Sequence, residues 1–175
     1  MTEAMISMKR SVLNAILFGA LTLISGEIFA ASSTANLSVT VTVAANNCRV
    51  NENQAVKAEF GTVQISELAK ASASVPVTIA CDEVPQGTLS MAIKGTGSSF
   101  NGQALQTDVS GLGVTLSSPS AKVLDLNTYY DVSSTFGLSS KVGTFNLTAH
   151  LTSDGNTELA GGEFNASATL VMLVS

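Results

Sequence analysis

Apolar and polar residues alternate along most of the chain from residue 37 onward, and helical periodicity is scarce. Leu37, Val39, Val41 and Val43 share one face, with Ser38, Thr40 and Thr42 on the other. Val75, Val77, Ile79 and Cys81 alternate with Pro76, Thr78 and Ala80; Leu89, Met91 and Ile93 follow, then Leu112, Val114 and Leu116. A further strand is read at Phe145, Leu147, Ala149 and Leu151, and a last one at Phe164, Ala166, Ala168, Leu170, Met172 and Val174. Pro76 cannot donate to a ladder, which places its end of the strand at an edge or a strand start. Clusters such as Val84-Pro85-Gln86-Gly87, Gly95-Thr96-Gly97 and Ser117-Ser118-Pro119 supply turns between these runs. Asp154-Gly155 reads as a tight hairpin joining the last two strands. Only Ile65 to Ala73 leans helical, and it is long enough for a turn or two. Many short strands with turn signals between them predict a sandwich or barrel, in one domain.

Two runs do not fit a self-contained sheet protein. The first lies before Cys48 with no hairpin turn linking it to the next strand. The second runs to the last residue and becomes apolar on both faces from Leu170 to Val174. A flat apolar edge is an aggregation hazard that proteins blunt with charge or proline, and neither run carries either device. Both are therefore buried core strands, or each pairs with another chain.

Ahead of the first run, Lys9 and Arg10 precede the apolar stretch Val12 to Ile24, and Ser25 to Ala31 turns small and polar. That is the layout of a secretion signal with Ala30 as the last residue before cleavage, and it is too short for a membrane-spanning helix. Met1 and Met8 are alternative starts. Removal of residues 1–30 takes away two charges of each sign, so the net charge stays −5. Only 12% of residues are charged, half the usual share. With no basic cluster beyond the signal, nucleic acid and anionic membranes are poor partners.

Export also decides how the two cysteines, Cys48 and Cys81, are read. In an oxidising compartment one even pair implies one disulfide, worth about 3–4 kcal/mol for a loop of roughly 30 residues on a chain-entropy account. A structural zinc site wants four ligands, and the chain has a single histidine, His150. One histidine at a strand end, scattered carboxylates and abundant Ser and Thr make no catalytic constellation. Gly95-Thr96-Gly97 lacks the following helix that a phosphate cradle needs. Neither an enzyme nor a small-molecule cofactor is expected. Tyr129-Tyr130 is a candidate surface contact, with alternation placing one ring inward.

The alternating extension before Cys48, Phe60-Gly61-Thr62-Val63, Val75-Pro76-Val77-Thr78-Ile79-Ala80-Cys81 and Gly162-Glu163-Phe164-Asn165-Ala166-Ser167-Ala168 resemble, in order and spacing, the structural subunits of chaperone–usher pili. The resemblance covers essentially the whole chain after the signal. It implies an all-β, immunoglobulin-like sandwich lacking its last strand, completed by a donor strand from a chaperone or a neighbouring subunit. It divides the chain into a signal peptide (1–30), a donor-strand extension (31–47) and a sandwich domain (48–175). The donor face would be Leu37, Val39, Val41 and Val43. The acceptor groove and chaperone-binding strand would be Gly162, Phe164, Ala166, Ala168, Leu170, Met172 and Val174. Implied partners are a periplasmic pilus chaperone, an outer-membrane usher and neighbouring pilus subunits, with passage through the periplasm to a surface fimbrium.

Burying four donor side chains is worth on the order of 6–12 kcal/mol before ordering costs. The resemblance departs at two positions: Val174 stands where the family usually has tyrosine, and Val41 where its donor strand usually has glycine. The second change implies an acceptor with a deeper pocket, or slower docking. The alternative is a self-contained secreted sandwich that binds a receptor or sugar and does not polymerise.

Overall fold

A computed structural model describes residues 34–43, 48–83 and 85–175 of the chain; the signal read at residues 1–30 lies outside them. Among the described residues, ten strands form two five-stranded sheets. They are β1 (Thr34–Val43), β2 (Cys48–Val50), β3 (Val56–Thr62), β4 (Ser72–Cys81), β5 (Leu89–Lys94), β6 (Leu105–Gln106), β7 (Leu112–Ser117), β8 (Tyr129–Asp131), β9 (Gly143–Ser153) and β10 (Phe164–Val174). One sheet has the order β3-β1-β10-β5-β8 and the other β2-β4-β9-β7-β6. The fold is the all-β sandwich that the alternation predicts.

The period of two sets what is buried. Val75, Val77 and Ile79 of β4, Phe145, Leu147, Ala149 and Leu151 of β9, and Val114 and Leu116 of β7 face the core from one sheet. Leu89, Met91 and Ile93 of β5 meet them from the other, with the inward face of β10. Successive side chains of a strand point to opposite faces, so the intervening Ser, Thr and Asn positions stay in solvent. Pro76 lies where its strand has an open flank. The Asn51 side chain donates to the Pro76 carbonyl and accepts from the Thr78 N–H, on the side away from β9. The proline's missing donor therefore faces an edge that no strand covers at that level.

One local expectation is overturned, one helical lean is borne out, and one short helix was not expected. Asp154-Gly155 does not join the last two strands as a hairpin, because β9 and β10 belong to different sheets. Its turn chemistry acts locally instead. The Asp154 carboxylate accepts from the N–H groups of Asn156 and Thr157 and from the Thr157 hydroxyl, and the connection 154–163 then crosses between sheets. The helical segment Ile65–Lys70 is a 3-10 helix. A short α-helix, α1 (Val132–Phe136), forms where no helical pattern was read. Asp131 caps it by accepting from the Ser134 N–H, Gly137 ends it in a left-handed conformation, and its buried Phe136 stacks on Phe145 at 4.7 Å. Five residues are too few to show a period.

Candidate functional site

The first and last strands meet. β1 lies between β3, to which it is antiparallel, and β10, to which it is parallel. The β10 ladder runs in continuous register from Ala35 beside Phe164 to Val43 beside Met172. Partnered residues in a sheet project to the same face, so the two alternations coincide at Leu37 with Ala166 and Val39 with Ala168, and the backbone register continues to Met172. Leu37 and Val39 are each 1% exposed, and Phe164, Ala166, Ala168, Leu170 and Met172 are buried. The segment read as a donor strand thus sits in the groove of its own chain, and its main chain fills the position between β3 and β10.

Side-chain size explains the fit at the upper half of this seam. β10 contributes only methyl groups at Ala166 and Ala168, leaving depth that Leu37 and Val39 occupy. At Leu170 and Met172 the groove strand itself supplies the volume. Without β1, β10 would present an unpaired edge over nine residues, above a core that had lost Leu37 and Val39.

Both ends of β10 are held. Near its start, the Asp108 carboxylate accepts from the Asn165 N–H (2.8 Å) and from the Asn165 side-chain amide (3.2 Å), while Thr107 bridges Ala166. These bonds, the main-chain one foremost, hold the Asp108 carboxyl below its ordinary range. Gly162, two residues before the strand, is exposed and has φ +148°, a backbone geometry that glycine adopts without strain. Phe164 packs against Phe60 of β3 with ring centres 6.3 Å apart. At the far end Val174 pairs with Leu89 and is half-buried, and Ser175 exchanges two main-chain hydrogen bonds with Thr88.

Cys48 and Cys81 form the disulfide, as facing residues of β2 and β4. Arg49 pairs with Asp82 beside it at 2.6 Å. The bridge anchors the chain five residues after the last residue of β1.

The remaining candidates stay apart from the seam. His150 is half-buried in β9 between Ser72 of β4 and Thr115 of β7. Among the described residues, no three of His, Cys, Asp and Glu gather as metal ligands would. Tyr129 is exposed and Tyr130 half-buried; the Tyr130 hydroxyl donates to the Asp125 carboxylate and accepts from the Asp125 N–H, which fixes the ring to a neighbouring loop. Asp108 was missed by sequence reasoning. It is an ordinary surface aspartate in sequence, and only the fold brings it 57 residues along the chain to Asn165.

The fimbrial protein family's sequence profile matches residues 35–174, from the start of β1 to the end of β10. No curated protein matches the chain by sequence. Among solved structures, the P pilus rod subunit PapA superposes with a TM-score of 0.56 at 16% identity, over 77% of this chain and 95% of its own. The P pilus adaptor subunit PapF gives 0.53 at 21% identity, over 73% and 95%. A subunit from the structure of a chaperone–usher pilus gives 0.53 at 17% identity, over 77% and 91%. These likenesses concern the fold, and the profile match, which spans most of the sequence and takes in both strands of the seam, concerns the family: the chain belongs to the fimbrial protein family.

Proposed function

We propose that the chain polymerises by donor-strand exchange: its residues 34–43 enter the groove of a neighbouring subunit, and its own groove beside β10 receives another subunit's extension. The observation that carries this reading is the seating of β1, whose alternate side chains run in register along β10. A strand that completes this groove from within its own chain has the length, period and side-chain sizes to complete a like groove elsewhere. Strand addition of this kind takes affinity from main-chain hydrogen bonds and register from alternating side chains, and pilin donor-strand complementation is an established instance of it. The role is structural and involves no catalytic chemistry. A periplasmic chaperone supplies the missing strand during folding, an outer-membrane usher hands subunits on, and the polymer forms a surface fimbrium.

The substitutions Val39→Asp and Val41→Asp together test the donor half. A charge on the inward face cannot enter an apolar groove, whereas the chaperone engages β10 and not the extension. The expected outcome is loss of incorporation into pili with chaperone binding retained. Undiminished incorporation would contradict the reading.

A further inference from the structure

We infer that Lys141 is a latch on the far end of β10: its ammonium fixes the loop 85–88, that loop seats Val174 and Ser175, and the three segments open and close as one unit.

Two contacts grip the end of the strand. Val174 pairs with Leu89, and beyond it Ser175 and Thr88 exchange main-chain hydrogen bonds of 2.8 and 3.1 Å. Gly87 lies so close that a β-carbon there would collide with the Ser175 main-chain carbonyl and press on the Val174 side chain. Glycine serves here by its missing side chain, which lets one backbone approach another.

The loop is fixed from far along the chain. The Lys141 ammonium donates to the Gly87 carbonyl at 2.6 Å and to the Pro85 carbonyl at 2.9 Å, across 54 and 56 residues. An ammonium carries three donors, so one side chain can hold two carbonyls of the same loop, and its charge makes both bonds stronger than neutral ones. Both bonds are partly buried, which limits competition from water.

The backbone of Lys141 points the same way. Its φ is +62°, in the left-handed region, and its N–H closes a turn onto the Leu138 carbonyl at 2.9 Å. Glycine takes that conformation freely and asparagine with less strain than lysine does. Strain kept at one residue is a sign that its side chain is used, and this side chain is the one that reaches the loop. The segments 85–88 and 138–142 both cross between the sheets, one from β4 to β5 and the other from β8 to β9. A single ammonium therefore ties two crossovers and a strand end into one cooperative unit.

Lys141 acts through the loop, which makes it a positioning residue. The latch holds whether or not β10 receives a foreign strand. On the donor-strand reading it has a use as well: β10 changes partner on the flank facing β1 while the flank facing β5 keeps its register.

Amide hydrogen exchange of the whole exported chain, read residue by residue by NMR, tests the latch. The reporters are the Thr88 and Ser175 amides, with the Leu147 and Ala149 amides of β9 as controls. Lys141→Met should speed exchange at both reporters by ~10-fold or more and leave the controls unchanged. Lys141→Gly covers the case in which that variant does not fold, because it removes the ammonium and the left-handed strain together. Its melting temperature should hold or rise while the same two reporters exchange faster, a split that general destabilisation does not produce. Gly87→Ala should loosen the same pair from the other side of the contact. Unchanged protection of Thr88 and Ser175 in both Lys141 variants, or equal acceleration of reporters and controls, would overturn the latch and leave donor-strand exchange untouched.

Discussion

Asp108 is exposed, carries one charge among few, and still fixes the start of the groove strand through two hydrogen bonds to Asn165. Its ionised form is the one that accepts those bonds, so folding lowers its pKa. The carboxyls of Asp125, held first by Gln103 and then by Tyr130, of Asp131, held by Ser134, and of Asp154, held by Thr157, are lowered in the same way. A carboxyl whose folded pKa lies below its unfolded one contributes stability above the unfolded value and loses it as pH falls through the folded one. The melting temperature should therefore be flat from neutral pH to about 5 and fall below about pH 4, the ordinary aspartate range. Asp108→Asn should shrink that acid limb, because an amide, unlike the carboxylate, takes up no proton as the pH falls there. A series of melts between pH 7 and pH 2.5 checks this, and an identical acid limb in the variant would count against the assigned role.

At the scale of elements, β10 contains its own control. Leu170 is 1% exposed and faces the core, while Leu173, three residues on, is 42% exposed on the outer face. Leu170→Ala should cost about 2–5 kcal/mol through lost burial and a residual cavity. Leu173→Ala should stay within about 0.5 kcal/mol. Denaturant unfolding of both variants measures the difference, and equal costs would mean that the strand's alternation does not set its facing. That alternation was legible in the sequence for β1, β4, β5, β7, β9 and β10, because a period of two over six or more residues has one plain reading. The same signal is present in β3, where Val56, Ala58 and Phe60 alternate with Lys57 and Glu59, and only its end, from Phe60, enters the family motif. Short elements were not legible. β2, β6, β8 and α1 are two to five residues long, and tertiary pairing, not local pattern, decides them. Asp154-Gly155 was legible as a turn and misleading about what it joins, since a turn's chemistry does not say whether the chain stays in its sheet.

At the scale of the whole molecule, the fold is a sandwich whose first sheet closes only when β1 fills the place between β3 and β10. The sequence made both strands of that seam visible as apolar runs without hairpin partners. It left open whose groove the first run fills, because a period-two apolar face fits its own chain's β10 as well as that of a copy. In the structure the strand lies between β3 and β10 of its own chain. On the proposed donor-strand exchange, the domain proper, without the extension, lacks one strand of its fold. The direct measurement is a thermal melt of residues 44–175 alone and with a peptide of residues 34–43 added. The shortened chain should show a poorly cooperative, low-temperature transition, and a sharp one, raised by tens of degrees, when the peptide is bound. A shortened chain that melts cooperatively at the temperature of the full chain, with no response to the peptide, would show that the sandwich is complete without β1 and would contradict the account.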